Sequence, residues 1–350
     1  MKNLLPFLLL SVSLLHCKTT PSGNTPTPAP PTVDTVGRFQ NPLLNSAPDP
    51  WVVQRGGVYY VTHTTGGDIT IYKTNSMSRL GAARRTTVWT APSSGMNSRN
   101  IWAPELHYIN GKWYIYYAAD DGRNENHRMW VLENAAADPT TGTWTDRGKL
   151  NLPEDKWAID GTVKRINGQL YFAWSGWPLV QDGQQDLYLC KLTNPYTAEG
   201  PRIRISTPEF GWERQGYPAV NEGPEFLVRN GKLHLVYSAS HCSTDAYALG
   251  LLTTDTTAAL TNPAVWKKSQ QPVFGPYAAG GAYGVGHNSF FTSKDGQENW
   301  LFYHANPRPG LGCSDQRSAR MQRFTWNADD SPNFGTPTPL TEWIKRPSGE

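Results

Sequence analysis

A hairpin signal recurs five times along this 350-residue chain and constrains its fold more than any other feature. Gly56-Gly57, Asn110-Gly111, Asn167-Gly168, Asn230-Gly231 and Asp295-Gly296 each stand just before a short aromatic-rich segment: V-Y-Y-V, K-W-Y-I-Y-Y, Q-L-Y-F-A-W, K-L-H-L-V-Y and Q-E-N-W-L-F-Y. Asn-Gly and Asp-Gly accept the positive φ angles of a type I′ turn, so each dipeptide predicts a tight hairpin. Successive turn glycines are 54, 57, 63 and 65 residues apart. A second alternating segment follows in every unit: I-T-I-Y-K-T, R-M-W-V-L-E, D-L-Y-L-C-K, A-L-G-L-L-T and R-M-Q-R-F-T-W. One small sheet cannot cover both of its faces alone, so units of this length stack around an axis as blades. The expected fold is all-β, a five-bladed β-propeller. The outer strand of the fifth blade is open at this point: Pro339 to Lys345 would supply it, or the segment near Phe39 would close the ring.

Just upstream of each turn, in what becomes the innermost strand, stands an ionisable residue. These are Asp49 (A-P-D-P-W), Glu105 (W-A-P-E-L), Asp160 (A-I-D-G-T), Glu222 (N-E-G-P-E) and His287 (G-V-G-H-N), preceding their glycines by eight, six, eight, nine and nine residues. Inner strands line the central channel, so the five groups converge on one axis. Solvation of that channel by polar residues is the plain alternative. The chemistry that fits is glycosidic hydrolysis with inversion: a carboxylate deprotonates water on one face of the sugar while a carboxylic acid protonates the leaving oxygen on the other. Glu222 sits in an apolar strand between Asn221 and Gly223-Pro224, where desolvation and a nearby Asp160 raise its pKa, which makes it the acid. Glu225 competes for that role, and the Gly-Pro pair favours Glu222. Asp49, between two prolines, reads as ionised and hence as the base, leaving Asp160 as the orienting group. Blades one and four lie across a ring of five, which leaves room for the water.

The remaining sequence sets the context. Residues 1–17, with Lys2, an apolar run too short to span a membrane, and Cys17, read as a secretory signal with a bacterial lipoprotein cysteine. Residues 18–37 are a Pro/Thr-rich linker and 38–350 the propeller. The protein is therefore expected at a cell surface, in a periplasm or secreted, touching a membrane only through the lipid, and as a monomer. A net charge of +3 with 17% charged residues offers no basic face for nucleic acid. The surplus is aromatic, 14 Trp and 16 Tyr, serving blade packing and stacking on sugar rings. Cys190 in L-Y-L-C-K-L reads as a buried thiol. Cys242 and Cys313 fall in loops of blades four and five, where export permits a disulfide.

Together, A-P-D-P-W, W-A-P-E-L, A-I-D-G-T, N-E-G-P-E and Y-G-V-G-H-N-S-F resemble, from about Asn41 to Pro337, glycoside hydrolase family 43, propeller enzymes that act on arabinan and xylan side chains. The resemblance implies Asp49 as general base, Asp160 as pKa modulator, Glu222 as general acid, and His287 as the histidine associated with a structural calcium ion in the channel. The run from His304 to Asp329 resembles the α-L-arabinofuranosidase branch, with Arg320 placed like the arginine that contacts the terminal sugar. Trp102 either lines the sugar pocket or packs a blade, and Glu105 joins the substrate contacts. The implied substrate is an arabinose-containing plant polysaccharide or oligosaccharide, attacked from its end. An endo-arabinanase, a β-xylosidase or a non-catalytic glycan-binding surface lipoprotein are the competing functions.

Overall fold

The computed structural model describes Met1 and residues 35–350. The expected signal, the lipidation site at Cys17 and nearly all of the linker lie outside these residues. Residues 35–350 form one compact unit of five four-stranded antiparallel sheets and one two-stranded sheet. Every blade is wound in chain order from the channel outward. Blade one comprises Trp51–Arg55, Val58–Thr62, Asp68–Thr74 and Arg84–Thr90. Blade two runs through Arg99–Ile109, Lys112–Asp120, Arg128–Asn134 and Thr145–Lys149, and blade three through Ala158–Ile166, Gln169–Gly176, Asp186–Asn194 and Thr197–Ser206. Blade four takes Asn221–Arg229, Lys232–Ala239, Ala248–Asp255 and Lys267–Lys268, and blade five Tyr283–Thr292, Asn299–Asn306, Ser318–Trp326 and Pro332–Asn333.

The expected hairpins join first to second strands. Asn110, Asn167 and Asn230 have φ of 51°, 48° and 44°, each followed by a positive-φ glycine, as a type I′ turn demands. The fifth turn differs. Its strands end at Thr292 and begin again at Asn299, and the Gly296 N–H donates to Ser293 O across a longer loop. Asp295 there uses its carboxylate to accept from Ser293 Oγ and the Gln297 N–H.

Pro339 to Lys345 does not supply the last outer strand, whereas the segment near Phe39 does close the ring. The outer strand is Pro332–Asn333, pairing with Thr325 and Trp326, while Arg38–Phe39 and Ile344–Lys345 pair with each other. The chain reaches blade one along the third strand of blade five: Leu43 N donates to Ala319 O, Ala319 N to Leu44 O and Ala47 N to Arg317 O, at 2.8, 2.9 and 2.9 Å. Phe39, Leu43, Leu44 and Ala47 thereby fill the seam between Val52, Tyr59 and Val61 of blade one and Phe291, Trp300 and Phe302 of blade five. Apolar area removed from water on both sides of this seam closes the ring. Equivalent clusters pack the other blades; Cys190, a free thiol, is fully buried in the one between blades two and three.

Candidate active site

In or just before each inner strand, eight or nine residues ahead of the turn glycine, stands a residue of left-handed backbone, and these five positions organise the site. They are Asp49 (φ 54°), Ala103 (42°), Asp160 (54°), Gly223 (54°) and His287 (48°). The first four stand eight residues before their turn glycines and the fifth nine. In blades two to five the strand pairing shifts at this residue, the mark of a β-bulge, which re-aims side chains at the channel mouth. Four of the five N–H groups donate to a side chain of the preceding blade: Asp49 to His304 Nδ1 (3.1 Å), Ala103 to Thr64 Oγ1 (2.8 Å), Gly223 to Asp160 Oδ2 (3.0 Å) and His287 to Ser238 Oγ (2.8 Å).

This register corrects the sequence reading in blades two and four. The structural counterparts of Asp49 and Asp160 are Ala103 and Gly223, so Glu222 enters the site from one residue earlier. Glu105 lies two residues beyond the bulge, matched by Glu225; it is buried, meets His107 Nε2 at 2.9 Å and is absent from the cavity wall. Burial first, and then Glu225, push the Glu105 carboxyl well above its ordinary range.

Asp49, Asp160, Glu222 and His287 all line a cavity of about 770 Å³ at one mouth of the channel. Asp49 is held on both oxygens. Thr64 Oγ1 donates to Oδ2 at 2.7 Å, and Arg317 Nη1 to Oδ1 at 2.8 Å. Burial is the largest single influence and works against its charge, but Arg317, then His287, His304 and Thr64, together outweigh it and hold its pKa far below the usual carboxylate value. Burial lowers the pKa of both imidazoles, which leaves Arg317 as the permanent cation beside Asp49.

Glu222 receives the opposite treatment. Burial, then repulsion from Asp49, raise its pKa to about 7, against a 2.9 Å hydrogen bond from Tyr247 Oη to Oε1. Asp160 is raised too, by burial and then by Glu222 and Asp49, while it accepts the Gly223 N–H beside the acid. One carboxylate fixed in its ionised form and another poised to hold a proton near neutrality are the pair that acid–base hydrolysis requires.

Trp102 lines the cavity, backed by the His127 ring at 4.1 Å; Trp157, stacked on Trp177 at 4.7 Å, forms another part of the wall. Arg320 does not reach it. Its guanidinium is fully buried and donates to Gly281 O, Ala305 O and Ser318 Oγ. Arg317 occupies the cavity instead. Tyr247, Thr64 and Arg317 escaped the sequence reading because they sit in loops or later strands with no repeat to flag them; only their separation from a register position, known after folding, would have found them.

Among the described residues the one group of three metal-binding side chains within a coordination sphere is His241, Cys242 and Cys313. Both cysteines are consumed by a disulfide with Cα atoms 5.1 Å apart, the bridge expected from sequence. Around His287 the donors are of another kind. Asn288, next to it in the strand, is buried with neither side-chain polar atom partnered. An imidazole beside an amide oxygen fits a hard cation whose other ligands are water and backbone oxygens.

Residues 39–332 match the family model for glycosyl hydrolases family 43. The chain is 40% identical over 319 residues to the extracellular exo-alpha-(1->5)-L-arabinofuranosidase of Streptomyces avermitilis, covering 89% of this chain and 65% of that protein. It is 38% identical over 310 residues to alpha-L-arabinofuranosidase 43 of Humicola insolens, covering 86% and 64%. It thus spans a little under two thirds of the length of these two relatives. The crystal structure of alpha-L-arabinofuranosidase from Lactobacillus brevis superposes with a TM-score of 0.82 at 35% identity, over 87% of this chain and 98% of that one.

Proposed function

The chain belongs to glycosyl hydrolase family 43, and from that premise we propose that it releases terminal α-L-arabinofuranosyl residues from arabinan or arabino-oligosaccharides with inversion. The observation that carries this reading is the unequal treatment of two carboxylates in one cavity: Asp49 clamped by Arg317 and Thr64, Glu222 desolvated. Asp49 removes a proton from water attacking the anomeric carbon. Glu222 gives its proton to the glycosidic oxygen as the bond breaks, and Asp160, on the Gly223 N–H, keeps the acid's backbone and charge environment fixed. So strongly paired a base is weakly basic. A sugar hydroxyl that accepts from Arg317 shares its guanidinium and returns basicity to Asp49. Trp102 supplies a flat apolar wall for the furanose ring. The names of the relatives support arabinose as the sugar and terminal attack as the mode. Release of arabinose from 4-nitrophenyl α-L-arabinofuranoside, compared with the xyloside and with polymeric arabinan, tests it; preference for the xyloside, or internal cleavage of arabinan, overturns it.

Calcium belongs to the same reading. His287, with Asn288 beside it in the strand, would hold it, and it would supply structural charge in the channel. Treatment with EDTA is expected to lower the melting temperature; unchanged melting together with a metal assay free of calcium refutes it. Export with lipidation of Cys17 completes the proposal, and the intact mass of the membrane-associated mature protein tests it.

A further inference from the structure

Arg317 reaches Asp49 from the end of the exposed loop 307–317. Within that loop its anchor is Ser314, whose carbonyl accepts from the Arg317 backbone N–H (3.3 Å) and from its Nε (3.1 Å). Ser314 follows Cys313 directly, and Cys313 is joined to Cys242 in the loop of blade four. The two loops touch elsewhere. The Gly310 N–H donates to both carboxylate oxygens of Asp245, at 2.9 and 3.1 Å. Gly312 (φ 55°) lies so close that a Cβ there would stand 3.2 Å from Ser243 Cα. Both bridged cysteines face the cavity that holds the carboxylates.

A covalent path therefore runs from blade four through Cys242–Cys313 to Ser314, and from its carbonyl by hydrogen bonds through Arg317 to Asp49. We propose that this disulfide is a positioning element of the active site: by fixing Ser314 it holds the Arg317 guanidinium on Asp49 and in the sugar cavity. The inference rests on the catalytic reading of Asp49 given above. The bland alternative is a staple that restrains the unfolded chain, since the bridge closes a sequence separation of 71 residues. A staple protects the fold but leaves the rate of the folded enzyme untouched.

A thermodynamic cycle separates the two. The pair Cys242→Ser/Cys313→Ser is made in the parent and in Arg317→Lys, and kcat/KM on 4-nitrophenyl α-L-arabinofuranoside is measured well below melting. If the bridge acts through Arg317, its removal lowers kcat/KM about tenfold or more in the parent but less than about threefold in the Arg317→Lys background. Equal factors in both backgrounds, or no loss in the parent, overturn the inference. Should the serine variants fail to fold, reduction of the folded parent and of folded Arg317→Lys with a phosphine supplies the same four corners. A parent inactive on this substrate sinks the catalytic reading itself; an active parent with equal losses sinks the positioning role alone.

Discussion

Asp49 and Glu222 share a cavity yet their pKa values are driven in opposite directions, and the cause is which neighbours burial leaves each of them. That difference predicts kinetics. An alkoxide cannot leave without a proton whereas a nitrophenolate can, so Glu222→Ala should lose about 10²–10⁴-fold on arabinobiose and far less on the aryl arabinoside. Asp49→Ala should fall by similar factors on both, and the reverse pattern would exchange the two roles. The Tyr247 hydroxyl stabilises the ionised form of Glu222, so Tyr247→Phe should raise the acid's pKa further. The basic limb of the kcat/KM profile, which reports loss of that proton, should then move upward from about pH 7; a downward shift would deny the hydrogen bond this role. Asp49, Asp160, Glu222 and His287 were legible in sequence because each stands at a near-constant distance from a turn glycine. Glu105 was misplaced because a bulge separates it from that register. Arg320 was taken from the family resemblance, which does not show that its guanidinium folds inward onto Gly281 while Arg317, from the loop before the strand, enters the cavity.

The bulged inner strand is the element that turns a blade into part of a site. Its left-handed residue lets consecutive side chains point differently from those of a regular strand, which is how Glu222 and Asp160 come to face one cavity from blades of different local sequence. Blade three shows the packing this requires. A Cβ on Gly161, directly after Asp160, would stand 2.1 Å from the Phe172 ring and 2.8 Å from Met129 Cε. Gly161→Ala is accordingly expected to destabilise by about 1–3 kcal/mol, read as a lower urea midpoint, and to impair turnover in the fraction that folds. An unchanged midpoint would mean that the strand relaxes freely around the methyl group. Strands and most hairpins were readable from period-two patterning and Asn-Gly turns; the fifth hairpin was not, since its Asp-Gly occupies a longer loop.

On the scale of the whole molecule, closure of the ring is what brings blades one, three and four to a single cavity. The repeat predicted five blades, but not how the first meets the last, because the seam is filled by the irregular segment 39–47 and not by another copy of the repeat. Glu222 comes from blade four and Asp49 from blade one, non-adjacent in the ring, and on the function proposed above they act on opposite faces of the sugar. The proposed function requires that arrangement to work by a single displacement by water. Proton NMR of the first product from an α-linked arabinofuranoside tests that requirement directly. The β-anomer of arabinose should form first and only later equilibrate, whereas initial appearance of the α-anomer would contradict the assignment of Asp49 and Glu222 as an inverting pair.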